Sequence, residues 1–403
     1  MKVYQQSVFE RWPLEDCSVQ AIITSPPYYS LRKYDIPDVI IGGDKDCKHE
    51  LRSYEWNQHS GRHMEINSKD AVLSHHPNIP DMKLKASFCL HCNAWQGQYG
   101  LEPDFKSYVS HSLLWAKEAW RVLRDDGVFF LNIADSYNST PIGKQVDQKR
   151  MSAHGEFSYD HKKTLQKDYP SKCLLCIPER MMLGLIDAGW VLRNKIIWYK
   201  KNAMPESVTD RFSKKYEFVY MFVKQPKYYF NLDAVLEPYT EPMNRWGGEK
   251  LKRKKEICDK CDGKGHWYDY NHSGEMDYYH ECNQCHSSGF IFVESQWDKE
   301  TNQATYRDRN MRPNANGKNP GDVWEIMTQP SPEKHFAMWP EKLVERMILC
   351  STKAGDVVLD PFAGSCTTGK VAISLQREFV GIDLGYEEIG KRRTSNVQIN
   401  ILV

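Results

Sequence analysis

The feature that most constrains the fold is a strand–turn–helix–strand pattern near the carboxyl end of the chain. The apolar run VVLD ends at Asp360, and small residues then lead into a helix that is predicted to begin near Thr367. The next strand pattern, REFVGID, ends in Asp383, about 20 residues further on. This order predicts a βαβ unit whose turn brings backbone amides close to a ligand at a helix N-terminus. An acidic side chain at the second strand tip can accept hydrogen bonds from the ribose hydroxyls of a nucleoside cofactor.

Helix and strand patterns alternate through much of the remaining chain. Residues 19–24 (VQAIIT) form a short apolar strand pattern, and helical spacing over residues 105–123 leads through RDDG into the strand VFFLNI. A second helix is predicted in CIPERMMLGLIDAGW, and strands follow in VLRNKIIWYK and EFVYMFVK. The alternation predicts an α/β fold with a mostly parallel sheet. Residues 42–100 are polar and lack periodicity, so we expect an inserted loop region there.

Two consecutive prolines follow the strand that ends at Thr24, in the sequence TSPPYYS. Because proline cannot continue a hydrogen-bonded ladder, a rigid loop is predicted at the carboxyl end of this strand. An isolated SPPY tetrapeptide is typical of a surface turn. Here a strand precedes the tetrapeptide and the DPFAG turn follows later in the chain, which favours a functional loop.

Together these motifs resemble the DNA amino-methyltransferases. DPFAGSCTTG is similar to their cofactor motif DPFxGxGT and TSPPY to their catalytic motif, and IIWYKKN and HFAMWPEKLVERMI extend the similarity. The catalytic motif precedes the cofactor motif, which is the order of the β group. The resemblance implies a permuted Rossmann-like class I methyltransferase fold that uses S-adenosylmethionine and double-stranded DNA. The chain departs from the family at Cys366, where glycine is usual, and at Gln5-Gln6, where Gly-Asp is usual.

The resemblance also implies roles for individual residues. The expected catalytic residues are Ser25, Pro26, Pro27 and Tyr28. The expected cofactor-binding residues are Thr24, Asp360, Pro361, Phe362, Ala363, Gly364, Ser365, Thr367, Thr368 and Asp383.

The chemistry of an exocyclic amino group explains why such a loop would be needed. The lone pair is delocalised into the base, so two acceptors, the Ser25 hydroxyl and the Pro26 carbonyl, would favour a pyramidal nitrogen aimed at the methyl group. Tyr28 would offer a face to a base rotated out of the duplex. Transfer would be direct, with the proton lost afterwards. In the family, Ser at the first motif position usually accompanies cytosine N4, and Asp or Asn accompanies adenine N6, which remains the alternative. Carbon-5 methylation uses a Pro-Cys dipeptide, which this chain lacks.

Eight of the twelve cysteines fall in CxxC pairs, a spacing typical of metal sites. Cys258, Cys261, Cys282 and Cys285 have the spacing of a four-thiolate structural zinc site, and CDKCDGKG resembles half of a DnaJ-type zinc repeat. A second zinc cluster is predicted from Cys47, His49, Cys89 and Cys92, with His91 as an alternative ligand. Cys173 and Cys176 are interpreted as core thiols.

These patterns predict a catalytic domain of residues 1–46, 100–235 and 321–403, with an inserted zinc segment at 47–99. Residues 236–320 are expected to be a target-recognition region with a zinc module, since β-group enzymes place recognition there. Because the net charge is only +1, the DNA contacts are expected in local basic runs. The residues concerned are Lys250, Lys252, Arg253, Lys254, Lys255, Arg307, Arg309, Arg312 and Lys318.

The chain contains no apolar run long enough to span a bilayer and no signal-peptide pattern at its start, so a cytoplasmic protein is expected. A restriction endonuclease partner is a further expectation, and the oligomeric state is left open. Two other hypotheses remain. A protein or RNA methyltransferase would also use a PPY loop, but its cofactor motif usually comes first. A zinc-dependent nucleic-acid-binding protein without activity would leave the DPFAGSCTTG motif unexplained.

Overall fold

The computed structural model describes residues 1–31, 33–57, 83–138, 166, 168–238, 254–270, 276–286, 288, 290–293, 316–329, 339–385, 390 and 392. The chain divides into two compact units, one formed by Met1–Val235 with Gly321–Val403 and the other by Leu236–Pro320. Among the helices within these described ranges, none is both long and apolar enough to cross a membrane.

In chain order, the first nine strands are β1 (Lys2–Gln5), β2 (Val19–Thr24), β3 (Val39–Ile41), β4 (Leu51–Asn57), β5 (Lys83–Cys89), β6 (Trp95–Gly97), β7 (Leu123–Ile133), β8 (Val191–Tyr199) and β9 (Tyr216–Val223). The remaining strands are β10 (Lys254–Ile257), β11 (His266–Tyr270), β12 (Met276–Glu281), β13 (Phe290–Val293), β14 (Val323–Glu325), β15 (Val357–Asp360) and β16 (Glu378–Asp383). The described helices are α1 (Phe105–Val122), α2 (Ile177–Asp187), α3 (Glu341–Ser351) and α4 (Thr367–Ser374).

An eight-stranded sheet with the order β1-β16-β15-β2-β7-β9-β8-β14 forms the centre of the larger unit. Only β9 is antiparallel to its neighbours, because it forms a hairpin with β8. The other described pairings are parallel, which confirms the mostly parallel α/β sheet expected from the sequence. Strands β2 and β15 carry the two motifs, and they lie next to each other.

Both faces of this sheet are covered, which explains why its strands are apolar runs. Strand β2 shows the pattern, since Ile22 packs with α1 and α2 on one face while Ala21 and Ile23 pack with α3 and α4 on the other. All six residues of β2 are buried. The sheet therefore holds the loop after Thr24 on a rigid base.

Three sequence predictions need correction. The described part of residues 42–100 is not simply loop, because β4, β5 and β6 pair with β3 in a four-stranded antiparallel sheet. Polar and apolar residues do alternate in β5 (KLKASFC) and at the end of β4 (SYEWN), so a strand pattern was present and was overlooked within a polar region. Helix α1 ends at Val122, and β7 begins directly at Leu123, so RDDG lies within the strand.

Cys173 and Cys176 are not core thiols, because they precede α2 in a turn where Cys173 is half-buried and Cys176 is exposed.

The smaller unit contains two antiparallel hairpins, β10 with β13 and β11 with β12. Its buried cluster consists of four cysteine side chains, with Trp267 packed against them. The described residues of this unit thus contain few buried apolar side chains besides these cysteines, and so small a cluster does not form a stable hydrophobic core by itself.

Gly369 provides a test of the packing between α4 and β16. A Cβ atom at this position would lie 2.6 Å from two ring atoms of Phe379, a distance that real contacts do not reach. We predict that Gly369→Ala lowers the free energy of unfolding by about 1–3 kcal/mol, as overpacked core substitutions do. Urea denaturation measures this change.

Gly184→Ala in α2 is the matched control. Its Cβ would lie 3.2 Å from the flexible end of Leu113, and alanine is favoured over glycine in a helix by about 1 kcal/mol. The free energy of unfolding of Gly184→Ala should therefore stay the same or rise. Equal losses in the two variants would contradict the proposed tight contact with Phe379.

Candidate active site

The two sequence motifs meet through a buried hydrogen-bond group at Asp360. The Thr24 hydroxyl donates to Asp360 Oδ1 at 2.7 Å, and the Thr368 hydroxyl donates to Oδ2 at 2.7 Å. The amide of Phe362 donates to Oδ1 at 3.1 Å. One carboxyl group thus connects the end of β2, the turn after β15 and the first turn of α4.

The pKa of Asp360 is raised to about 6, chiefly by burial; the bonds from Thr24, Thr368 and the Phe362 amide oppose this rise, and the nearby Asp383 charge contributes to it least. The side chain is almost completely buried, so the loss of hydration outweighs three donated hydrogen bonds.

The turn after β15 positions Asp383. Gly364 adopts a φ of +48°, which favours glycine, and its amide donates to Asp383 Oδ2 at 2.7 Å. The Gly385 amide donates to Oδ1 at 2.9 Å. Cys366, which replaces the glycine usual in similar motifs, also has a left-handed φ of +56° at the start of α4.

A cavity of about 550 Å³ lies at the carboxyl ends of β2, β15 and β16. Most of the residues predicted from the sequence line it, namely Ser25, Pro26, Pro27, Tyr28, Asp360, Pro361, Phe362, Ala363, Gly364, Ser365, Thr367 and Asp383. Gln6 also lines it. Thr24 and Thr368 have no exposed surface and contact Asp360 instead, so they support the wall from behind.

The loop after β2 ends in a polar network. The Tyr28 hydroxyl lies 2.7 Å from Glu217 Oε2 and 2.9 Å from Asn132 Oδ1, either of which can accept its hydrogen. The Ser25 hydroxyl donates to Tyr28 Oη at 3.2 Å or to Asn132 Oδ1 at 3.3 Å. Lys200 forms an ion pair with the other oxygen of Glu217. The pKa of Tyr28 is raised well above its usual value, chiefly by burial and then by the Glu217 charge, so its hydroxyl keeps its hydrogen.

Neighbouring groups hold the loop rigidly. The Tyr108 hydroxyl donates to the Pro27 carbonyl at 2.9 Å. The Ser30 amide donates to the Gly100 carbonyl at 2.7 Å, and a Cβ at Gly100 would lie 3.1 Å from the Pro27 Cβ. The backbone around the prolines is therefore held by direct contacts as well as by proline geometry.

Asn132, Lys200 and Glu217 were missed by the sequence analysis. Asn132 is a polar residue within the apolar strand VFFLNI, and its side chain is 2% exposed. A buried amide requires partners, so this position was a usable signal. Lys200 and Glu217 stand at the ends of β8 and β9, where a charged residue is too common to indicate a site.

The predicted metal ligands are brought together in both clusters. The ligand atoms of Cys258, Cys261, Cys282 and Cys285 all lie within 4.8 Å of one another, and so do those of Cys47, His49, Cys89 and Cys92. The alternative ligand His91 is instead paired with Glu50 at 3.3 Å and is 59% exposed. The Gly265 amide donates to Cys261 Sγ at 3.2 Å.

The chain is similar to known proteins over most of its length. The family model described as DNA methylase, for N6 and N4 enzymes, matches residues 19–391. Type II methyltransferase M.Cfr9I of Citrobacter freundii is 31% identical over 311 residues, covering 76% of this chain and 77% of that protein. Type II methyltransferase M.SmaI of Serratia marcescens is 28% identical over 299 residues, covering 74% and 77%. Among solved structures, the PvuII DNA methyltransferase (cytosine-N4-specific) matches with a TM-score of 0.49 and 15% identity, covering 99% of this chain and 87% of that one.

The parallel α/β sheet with both motifs at one edge is the arrangement expected of an enzyme with a nucleoside cofactor, and the chain belongs to the N6/N4 DNA methylase family. It is a DNA methyltransferase that uses S-adenosylmethionine, and its substrate is duplex DNA. The resemblance found in its motifs is thereby confirmed.

Because burial raises the pKa of Asp360, we predict that the free energy of unfolding depends on pH. Its folded-state pKa of about 6 lies above the ordinary value of 3.8, so the folded state holds this proton more tightly. The resulting stability is present below about pH 4 and is lost as the pH rises through about 6. Asp360→Asn cannot ionise. Its free energy of unfolding, relative to that of the parent, should rise by roughly 1.4 kcal/mol between pH 5 and pH 8, about one pKa unit.

Urea titrations of both proteins without cofactor measure this difference at each pH. Titrations common to the two proteins cancel in the comparison. A difference that stays constant from pH 5 to pH 8 would show that Asp360 does not titrate abnormally.

Proposed function

We propose that the chain methylates N4 of cytosine in a specific duplex sequence, acting on a base rotated into the cavity. S-adenosylmethionine supplies the methyl group when bound. Asp360, Phe362, Gly364 and Asp383 are the residues proposed to hold it, because they line the same cavity as Ser25.

This proposal rests on the hydrogen bonds around Ser25, which show which groups accept the hydroxyl hydrogens of Ser25 and Tyr28. Asn132 Nδ2 donates to the Phe218 carbonyl at 3.0 Å, which turns Asn132 Oδ1 towards Ser25 and Tyr28 as an acceptor. Glu217, held by Lys200, is a second acceptor. The hydroxyl hydrogens of Ser25 and Tyr28 are thus used within the protein. The lone pairs of Ser25 remain for a donor, and an amino group is such a donor.

The Pro26 carbonyl would accept the second amino hydrogen. Two acceptors draw electron density to the nitrogen and hold it in a fixed direction, which is how positioning and electrostatics lower a barrier. Pro27 and Tyr28 would form the remaining wall. Stacking on an aromatic ring contributes about 1–3 kcal/mol per base in single-strand binding.

N6 of adenine is the second candidate, because the acceptor geometry fits either amino group. The choice of cytosine rests on Ser25 at the first motif position, which in similar enzymes usually accompanies N4. Hydrolysis of methylated DNA to nucleosides, followed by mass spectrometry, decides between the bases. Finding only N6-methyladenine would overturn the cytosine assignment and leave the reaction class intact.

Substitution of Ser25 tests the acceptor role. Ser25→Ala should lower kcat by more than tenfold, about 1.4 kcal/mol, because an acceptor for the amino group is lost. Cofactor affinity, measured by calorimetry, should change little, because the lost contact is with the base. Ser25→Asp keeps an acceptor and should retain part of the activity, with the same product.

A matched control lies outside the cavity at Ser18, an exposed hydroxyl that donates to a backbone carbonyl. Ser18→Ala should leave kcat unchanged. If Ser25→Ala proves fully active, the hydroxyl does not polarise the amino group.

We also propose that both cysteine clusters hold structural zinc. Tetrahedral zinc with bonds of about 2.3 Å to sulfur requires sulfur atoms about 3.8 Å apart. The Sγ separations are 3.6 Å for Cys258 and Cys282 and 3.6 Å for Cys261 and Cys285. In the other cluster, Cys47 and Cys89 are 3.7 Å apart. Four protein ligands fill each site, so zinc would stabilise the fold and leave no position for a reactant.

Metal analysis should therefore find two zinc ions per chain. Cys282→Ser should remove one of them and make residues 236–320 sensitive to protease, since metal binding and folding are coupled in such modules. Cys173→Ser, in a half-buried thiol outside the clusters, should keep the full zinc content. A folded protein without bound metal would refute the proposal.

Residues 236–320 are the proposed target-recognition unit. The support is their position in the chain and their compactness as a separate unit. Of the basic residues predicted to contact phosphate, Lys250, Lys252, Arg253, Arg307, Arg309 and Arg312 lie outside the described residues, while Lys254, Lys255 and Lys318 lie within them. A restriction endonuclease recognising the same sequence is the proposed cellular partner.

A further inference from the structure

The segment that joins β8 to β9, residues 201–215, forms part of the cavity wall. We call it the 201–215 loop. Ala203, Met204, Glu206 and Lys214 from this loop line the same cavity as Ser25. The loop therefore stands beside the position proposed for the target base.

Contacts with the rest of the unit hold this loop in place. The Lys200 amide donates to the Lys215 carbonyl at 2.7 Å, which closes its base. Arg211 donates to Glu206 at 2.7 Å, and its guanidinium lies 4.1 Å from the centre of the Tyr137 ring. Lys214 Nζ donates to the Asp135 carbonyl at 2.6 Å.

Phe212 projects from this held segment into solvent. It is 97% exposed, which is the highest value for a large hydrophobic residue in the part of the chain that the structure describes. Met204, in the same loop, follows at 84%. Single exposed apolar residues are common on protein surfaces. Here the most exposed pair shares one loop, and that loop borders the active-site cavity.

We propose that Phe212 is a wedge that enters the duplex and fills the space left by the target base. The inference rests on the proposed rotation of that base out of the helix. Removing a base from the stack leaves an apolar gap between its neighbours, and DNA-binding proteins insert side chains such as Phe and Met between base steps. A wedge in the gap opposes the return of the base and so lengthens its stay in the cavity.

The dimensions and charges of the loop agree with this role. Phe212 is five residues from Glu217, so their Cα atoms are at most about 18 Å apart. One turn of the duplex is about 34 Å long. Phe212 therefore lies within one duplex turn of the polar network beside the proposed position of the target base. The exposed Lys215 lies three residues from Phe212 in the chain and can face a phosphate, whereas Lys201 is ion-paired with Glu325 at 3.0 Å.

The experiment compares two duplexes that contain one methylated site. The site is first located by sequencing plasmid DNA that the protein has methylated. One oligonucleotide duplex has the target base paired, and the other has it opposite an abasic position, where extrusion costs less. Phe212→Ala should lower kcat/KM at least tenfold on the paired duplex and less than threefold on the abasic duplex. Phe212→Leu keeps an apolar wedge, so its kcat/KM on the paired duplex should fall less than that of Phe212→Ala.

Leu183→Ala is the matched control, because Leu183 is 54% exposed on α2 and does not line the cavity. Leu183→Ala should leave kcat/KM unchanged on both duplexes. Equal losses of Phe212→Ala on the two duplexes, or no loss on the paired one, would overturn the wedge. A change in oligomeric mass with Phe212→Ala would instead assign the side chain to a contact between copies, which also overturns it.

Base rotation itself is measured separately with the parent protein. A rise in fluorescence of 2-aminopurine at the target position supports rotation. Such a rise combined with no effect of Phe212→Ala would refute the wedge alone. No rise would refute rotation and the wedge together, while methyl transfer, followed with labelled S-adenosylmethionine, would still establish the activity.

Discussion

The hydrogen bond from Thr24 to Asp360 is the contact on which the site depends. It joins two residues 336 positions apart in the chain and fixes the strand end that carries SPPY against the strand end that carries DPFAG. Because β2 and β15 are parallel neighbours, their carboxyl ends lie at the same edge of the sheet. Burying a carboxyl group costs free energy unless it is hydrogen-bonded, and three donors surround this one. An imperfect arrangement of the two motifs would leave that cost uncompensated, so the bond selects one relative position.

This constraint explains why each side of the cavity can be rigid. Asp383 is held by two backbone amides, and the loop with Pro26 and Pro27 is held by Tyr108. Methyl transfer needs the nucleophile and the methyl carbon in line, and small misplacements lower the rate strongly. A site built on strand ends of a sheet covered on both faces meets this requirement better than one built on free loops.

The sequence predicted the parts of the site that are local in the chain. The span of β2 matches the structure residue for residue, and the turn around Gly364 was recognisable because small residues followed an apolar strand. The network of Asn132 and Glu217 could not be predicted, because it joins strands about 85 residues apart through tertiary pairing alone. The sheet containing β4 and β5 was missed for a different reason, since the short alternating patterns SYEWN and KLKASFC were outweighed by the polar composition of residues 42–100.

The hydrogen bonds around Ser25 restrict which bases the proposed site would accept. Two hydroxyl hydrogens face two protein acceptors, Asn132 Oδ1 and Glu217, so none is left for the cavity. A base with a carbonyl at the reacting edge, such as thymine, would bring its oxygen against the Ser25 lone pairs and find no donor there. Leaving a buried acceptor unpaired costs about 1–3 kcal/mol. Cytosine and adenine both present an amino group at this edge and avoid that cost. In the proposed site, the polar network would therefore favour amino bases over keto bases, and the shape of the cavity and the proposed recognition unit would have to separate cytosine from adenine.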